Sequence, residues 1–135
     1  MNQELTQKLC DEFPELYLSR DKPMRERAMC FGFECGDGWF DLIERLSADI
    51  MALSTREGIE PPKVVQVKQK FGGLRYYIDG GTWEMNARIE EAEEESITVC
   101  EVCGEAARTR RDDWVQTLCN EHYEKQDRRT WKRSC

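Results

Sequence analysis

Histidine is almost missing from this sequence, with one among 135 residues, and proline is sparse, with four. A lone imidazole excludes the paired-histidine acid–base and metal sites on which many hydrolases depend. No apolar run approaches the roughly 18–20 residues that cross a bilayer as a helix. The first residues, Met1-Asn2-Gln3-Glu4-Leu5, lack the basic and then apolar blocks of an export leader, so a cytoplasmic protein is expected. Positive charge is also short: the net charge of −7 argues against binding nucleic acid through a broad phosphate-neutralising surface.

What is present is a charged chain, 35% Asp, Glu, Lys and Arg against 39% apolar, with seven cysteines. An odd number without an export leader does not describe a secreted disulfide framework, and metal binding in a reducing compartment accounts for it better. The charge is uneven. Residues 1–97 carry 12 basic and 20 acidic side chains, whereas residues 98–135 carry 8 and 7. The expected organisation is an α+β domain over 1–97 followed by a zinc module with a basic tail over 98–135.

The patterning predicts the elements of the first part. Leu5, Leu9 and Phe13 are spaced for a short helix over 3–13 closed by Pro14. The stretch from Tyr17 to Cys35 reads as irregular, with Pro23 and the mixed run Arg25-Glu26-Arg27, and ends in the turn Cys35-Gly36-Asp37-Gly38, where Asp37 is a candidate helix cap. Trp39, Leu42, Ile43, Leu46, Ile50 and Leu53 repeat at helical spacing, predicting a helix over 39–54 stopped by Gly58 and Pro61-Pro62. Residues 63–79 read as a β-hairpin with Gly72-Gly73 as its two-residue loop and Phe71 opposite Leu74. That register places Val65, Val67, Phe71, Leu74, Tyr76 and Ile78 on one face and Lys68, Lys70, Arg75 and Tyr77 on the other. Thr82 caps a predicted helix over 82–96, with Trp83, Ala87, Ile89 and Ala92 inward and Glu90, Glu91, Glu93, Glu94 and Glu95 outward. Trp39 and Trp83 are both expected to anchor the core.

The strongest chemical signal is Cys100-Glu101-Val102-Cys103-Gly104, followed fifteen residues later by Cys119-Asn120-Glu121-His122. Two pairs at x2 spacing, three thiols and the single histidine, match the tetrahedral sulfur and nitrogen set that zinc prefers. Cys100, Cys103, Cys119 and His122 are therefore the expected ligands of one structural zinc ion. Arg108 to Asp113 would turn a short hairpin between the pairs, and Cys119 would open a final helix, an order that resembles a treble-clef or zinc-ribbon zinc finger. Four filled positions leave none for an activated water, and Glu101 and Glu121 read as solvated charges, so no enzyme is expected. Cys10, Cys30, Cys35 and Cys135 match no common ligand spacing.

The motifs Lys68-Gln69-Lys70-Phe71-Gly72-Gly73-Leu74-Arg75-Tyr76-Tyr77, Cys100-Glu101-Val102-Cys103-Gly104 and Thr117-Leu118-Cys119-Asn120-Glu121-His122, with Cys35-Gly36-Asp37-Gly38-Trp39, extend over about residues 30–125. In them the chain resembles a family of small uncharacterised proteins of bacteriophages and proteobacteria. The resemblance implies a zinc-stabilised phage accessory or counter-defence factor, acting in the host cytoplasm through contact with a host protein. The residues also allow a second reading, a nucleic-acid- or nucleotide-binding module. It would use Lys68, Lys70, Arg75 and Tyr77, where Lys70 facing Arg75 asks for an anion, with Arg108, Arg110, Arg111 and the tail at 128–133. The glutamates at 90–95 read as a solvated helix face.

Overall fold

The computed structural model describes residues 1–18 and 32–126. Arg25-Glu26-Arg27, Pro23, Cys30, the basic tail with Trp131, and Cys135 lie outside the described residues. Within them the order is α1 (Gln3–Glu12), α2 (Pro14–Tyr17), β1 (Phe33–Glu34), a 3₁₀ turn (Asp37–Trp39), α3 (Phe40–Glu57), β2 (Lys63–Lys70), β3 (Gly73–Asp79), α4 (Trp83–Ser96), β4 (Arg108–Arg111), β5 (Val115–Leu118) and α5 (Asn120–Glu124). The fold is α+β, as expected. One sheet has the order β1-β2-β3, with β1 parallel and β3 antiparallel to β2; β4 and β5 form a separate antiparallel pair.

Helix α1 starts where the Asn2 side chain accepts from the Leu5 amide at 2.8 Å. Pro14 does end it, and then occupies the first position of α2, where a missing N–H costs nothing. Helix α3 begins one residue later than expected, because Trp39 belongs to the 3₁₀ turn. It runs on through Glu57 to Gly58, whose φ of +65° closes it in the left-handed region. Asp37 does not cap α3. Its carboxylate accepts instead from the Asn2 backbone at 2.6 Å and the Asn2 amide at 3.1 Å, tying the N-terminus to this turn.

The hairpin differs from expectation by one residue. Lys70 pairs with Gly73, Gln69 with Leu74 and Lys68 with Arg75, so the two loop residues are Phe71 and Gly72, with φ of +53° and +84°. Phe71 thus accepts a conformation unfavourable for a side-chain-bearing residue. The reason is tertiary: Gly72 sits on β4–β5, where a Cβ would come within 3.0 Å of the Thr109 methyl. Phe71 is consequently 72% exposed. A second irregularity between Val64 and Gln66 turns Val65 outward and lets Val64 and Val67 both point inward, as a bulge does.

The core lies between this sheet and the helices. Leu9, Leu16, Trp39, Leu42, Ile43, Leu46, Ile50, Val64, Val67, Leu74, Met85 and Ile89 bury together. Tyr17 runs through it, its hydroxyl 2.6 Å from Ser47 Oγ and 2.7 Å from the Tyr76 hydroxyl, so these buried polar atoms satisfy one another. Helix α4 is capped by Thr82 as expected and lies along the free edge of β3. Ser96 Oγ accepts from the Leu74 amide at 2.9 Å, and the Glu93 carboxylate accepts from the Tyr76 amide at 3.2 Å. These contacts block an edge that would otherwise invite strand pairing, so Glu93 is not a solvated charge. Glu95 is also engaged, paired with Arg45 at 2.6 Å.

Trp83 departs from expectation: it is 78% exposed, while Trp39 is fully buried. The inward positions of α4 are Met85, Ile89, Ala92 and Ser96, a helical stripe whose phase leaves the first residue outside. Replacing Trp39 by Ala should therefore cost about 3–5 kcal/mol of stability, whereas Trp83→Ala should stay within about 0.5 kcal/mol of the parent. Urea unfolding followed by circular dichroism separates the two.

Candidate metal centre

Strands β4 and β5 pair from Arg108 with Leu118 to Arg111 with Val115. The chain then enters α5 through Cys119, whose side chain accepts from the His122 amide as the helix cap at 3.5 Å. The cap and the helical offset of three residues bring Cys119 and His122 to one side. On the other strand of chain, Cys100 N donates to Glu105 O at 2.8 Å and Gly104 N to Cys100 O at 2.9 Å, closing the knuckle. Gly104, at φ +84°, makes that reversal without strain. The Glu101 amide donates to Thr117 O at 3.1 Å and fastens the knuckle to β5.

The result is one cluster in which the donor atoms of Cys100, Cys103, Cys119 and His122 all lie within 4.8 Å of one another. Cys100 Sγ is 3.7 Å from His122 Nδ1, Cys119 Sγ is 3.2 Å from the same nitrogen, and Cys103 Sγ is 3.8 Å from Cys119 Sγ. A tetrahedral ion with arms of about 2.3 Å to sulfur and 2.0–2.1 Å to nitrogen requires edges of about 3.4–3.8 Å. The cluster could hold one metal ion, with His122 Nδ1 facing the sulfurs of Cys100 and Cys119. No family model, curated protein or solved structure matches the chain. The site is therefore read from its own geometry.

Its electrostatics point the same way. Burial pushes the Cys100 thiol up, but the amides of Cys119, Cys103 and Val102 directed at the sulfur outweigh this and lower it to about 7. At Cys103 the Glu105 amide favours the thiolate, yet burial and the neighbouring sulfurs of Cys100 and Cys119 together raise it to about 11. Cys100 and Cys103 thus shift in opposite directions, as like charges sharing a site do, and a cation between them would favour both thiolates.

The knuckle is seated on the larger core through the turn Cys35-Gly36-Asp37-Gly38. Gly38 N donates to Glu101 O at 2.7 Å, Gly36 N to the Glu101 carboxylate at 2.9 Å, and Trp39 Nε1 to Val99 O at 2.9 Å. A Cβ on Gly36 would overlap the Glu101 carbonyl, and one on Gly38 would overlap the Cys100 carbonyl and the Gly104 amide. Both glycines are therefore required by close approach. Glu101 is not a solvated charge either; burial raises its carboxyl, partly opposed by the Gly36 amide. Glu121 is solvent-facing and pairs with Lys125 at 2.8 Å. On the other flank Thr117 Oγ1 donates to Gly72 O at 2.6 Å and Gln69 Nε2 to Val115 O at 3.0 Å. The four separated motifs of the sequence thus meet at one place.

The arginines expected to form a phosphate-contacting patch are divided by the structure. Arg110 is buried: its Nε donates to Leu118 O at 3.1 Å, a terminal nitrogen donates to Asn120 Oδ1 at 2.7 Å, and its guanidinium lies 4.4 Å from the Tyr123 ring centre. It braces the turn that carries Cys119 and His122. Arg108 and Arg111 are exposed. Lys68 and Arg75 face each other across the strands, replacing the expected Lys70–Arg75 pairing. Cys35 is buried in the main core, and burial pushes its thiol up to about 12.

Arg110→Ala should lower the affinity of the cluster for a metal ion by about 10–100-fold, while Arg108→Ala and Arg111→Ala leave it unchanged, as competition with a chromogenic chelator would show. The thiolate is the metal-binding form, so apparent affinity should climb as pH rises past about 7 and continue upward toward about 11, the two limits set by Cys100 and Cys103. The same competition repeated across pH measures that slope.

Proposed function

We propose that this chain is a non-enzymatic binding protein in which a single structural zinc ion staples two hairpins into one surface. The observation that supports it is the Cys3His cluster itself, four protein donors within 4.8 Å. Thiolate and imidazole donors select zinc among the abundant cellular cations, and four of them fill its tetrahedron, whereas a catalytic zinc keeps a position for water. The nearby carboxylates support the same reading, Glu101 being held by Gly36 and Glu121 by Lys125. Free thiols as ligands suit a reducing compartment, hence a cytoplasmic location.

The resemblance to phage and proteobacterial proteins adds a setting, an accessory or counter-defence factor that engages a host protein. That role rests on the resemblance alone, while the surface chemistry of the larger sheet favours a polyanion.

Metal analysis and native mass spectrometry of freshly purified, chelator-free protein should find one zinc per chain. The cobalt-substituted protein should show tetrahedral absorption with three sulfur-to-metal charge-transfer contributions and no water signal. Metal-free protein, or a spectrum that requires a bound water, would defeat the reading.

A further inference from the structure

The cations of this protein are treated differently on its two sides. In the helical layer Arg45 pairs with Glu95 at 2.6 Å, Arg88 with Asp49 at 2.7 Å and Arg56 with Glu84. On the outer face of the β1-β2-β3 sheet, Lys68, Lys70 and Arg75 have no ion-pair partner among the described residues. Arg75 donates only to the neighbouring Leu74 carbonyl at 3.0 Å. This happens in a chain with 27 acidic residues against 20 basic, where carboxylates are not scarce. Lys68 and Arg75 also face each other in register, an unfavourable arrangement unless an anion lies over them. One acid, Glu34 on β1, continues the same row beside Lys68.

The two ends of this cationic strip are aromatic. Tyr77, two residues from Arg75 on the same face, is 43% exposed, and Phe71 projects from the turn with Lys70 Nζ 5.7 Å from its ring centre. Strand geometry separates Tyr77 from the turn by about 13–17 Å. An acidic protein segment would answer the cations but has no need of two exposed rings. A duplex would need a broad basic surface, which the remaining acidic residues deny. A single strand needs a few phosphate contacts and rings on which bases stack. We propose that this face binds single-stranded nucleic acid, with Tyr77 and Phe71 stacking bases and Lys68, Lys70 and Arg75 contacting phosphates. The inference gives a partner class to the binding function proposed above. The metal enters through Thr117, which holds the Gly72 carbonyl and so the turn bearing Phe71.

The test is fluorescence anisotropy of zinc-loaded protein with labelled twelve-nucleotide single strands of DNA and RNA, and with a duplex of the same sequence. Single strands should bind, the duplex should bind about tenfold more weakly or worse, and affinity should fall as salt rises from 50 to 200 mM. Tyr77→Ala and Phe71→Asn, the latter chosen because Asn tolerates positive φ, should each weaken binding by about tenfold with zinc content unchanged. Lys68→Gln and Arg75→Gln should reduce the salt slope by about 0.7 each, and Trp83→Ala, an exposed aromatic elsewhere, should change nothing. Absence of single-strand binding, equal binding of the duplex, or binding that survives Tyr77→Ala with Arg75→Gln would overturn the inference. Tighter binding of poly-glutamate than of the oligonucleotides would also overturn it and assign the face to an acidic protein segment. Zinc content measured on the same samples separates the two readings: one zinc per chain without oligonucleotide binding defeats this inference alone, and protein without zinc defeats the staple.

Discussion

The backbone of Glu101 lies directly against Gly36 and Gly38, and the rest of the molecule is arranged around that contact. On one side it is continuous with Cys100 and Cys103, so its position is set by the thiol cluster. On the other its carbonyl accepts from the Gly38 amide and the Glu101 side-chain carboxylate accepts from the Gly36 amide, just before Trp39, the largest fully buried side chain among the described residues. The N-terminus closes the same loop, through Asn2 to Asp37 and the Met1 amine to the Cys35 carbonyl. A metal ion in the cluster would therefore fix more than a finger: the order of the knuckle passes to the core through the Gly38 amide on the Glu101 carbonyl, the Gly36 amide on the Glu101 carboxylate and the Trp39 indole on the Val99 carbonyl. Metal binding energy is folding energy for a site that does not exist in the unfolded chain, and an ion held by this cluster would pass it to the main core.

The second consequence concerns surfaces. Among the described residues the sheet is bounded by helices on its inner face, α4 along the β3 edge, and the β4–β5 hairpin at its turn. Among the described residues they leave the outer face, where Lys68, Lys70 and Arg75 have no ion-pair partner and Glu34 is the one acid in the row. The separation of charge is a matter of topology. On the helical side Asp49, Glu84 and Glu95 of α3 and α4 pair with Arg88, Arg56 and Arg45, while the strands present alternate residues to the opposite side. The overall charge of −7 thus describes the molecule poorly as a binding surface.

The ligand set was legible in the sequence because the chemistry of a tetrahedral ion is local: x2 spacing delivers two donors from one turn wherever the turn sits. The main helices were legible for a similar reason, since Leu42, Ile43, Leu46 and Ile50 carry their own period, and Thr82 and Gly58 terminate by local rules. Trp83 was misplaced because two residues at a helix start do not define the phase of its stripe. The hairpin loop was misplaced because local turn preference favours Gly-Gly, whereas docking against Thr109 and Thr117 required glycine at 72 in the loop and left Phe71 to take a positive φ. Gly36 and Gly38 look identical to turn glycines in one dimension, and nothing local says that another backbone lies on them.

By itself the sequence determined the fold class, the Asn2-to-Pro14 and Thr82 helix boundaries and the two x2-spaced pairs of Cys3His donors, because each pair and each boundary depends on residues within a few positions of one another. Only the tertiary structure decided which arginine is buried as a brace, which cations stay unpaired, and where the knuckle rests. Those outcomes depend on contacts between segments up to 65 residues apart, such as Gly36 and Glu101. Whether a charge is neutralised is a property of the neighbours that packing brings to it, and spacing along the chain does not encode them.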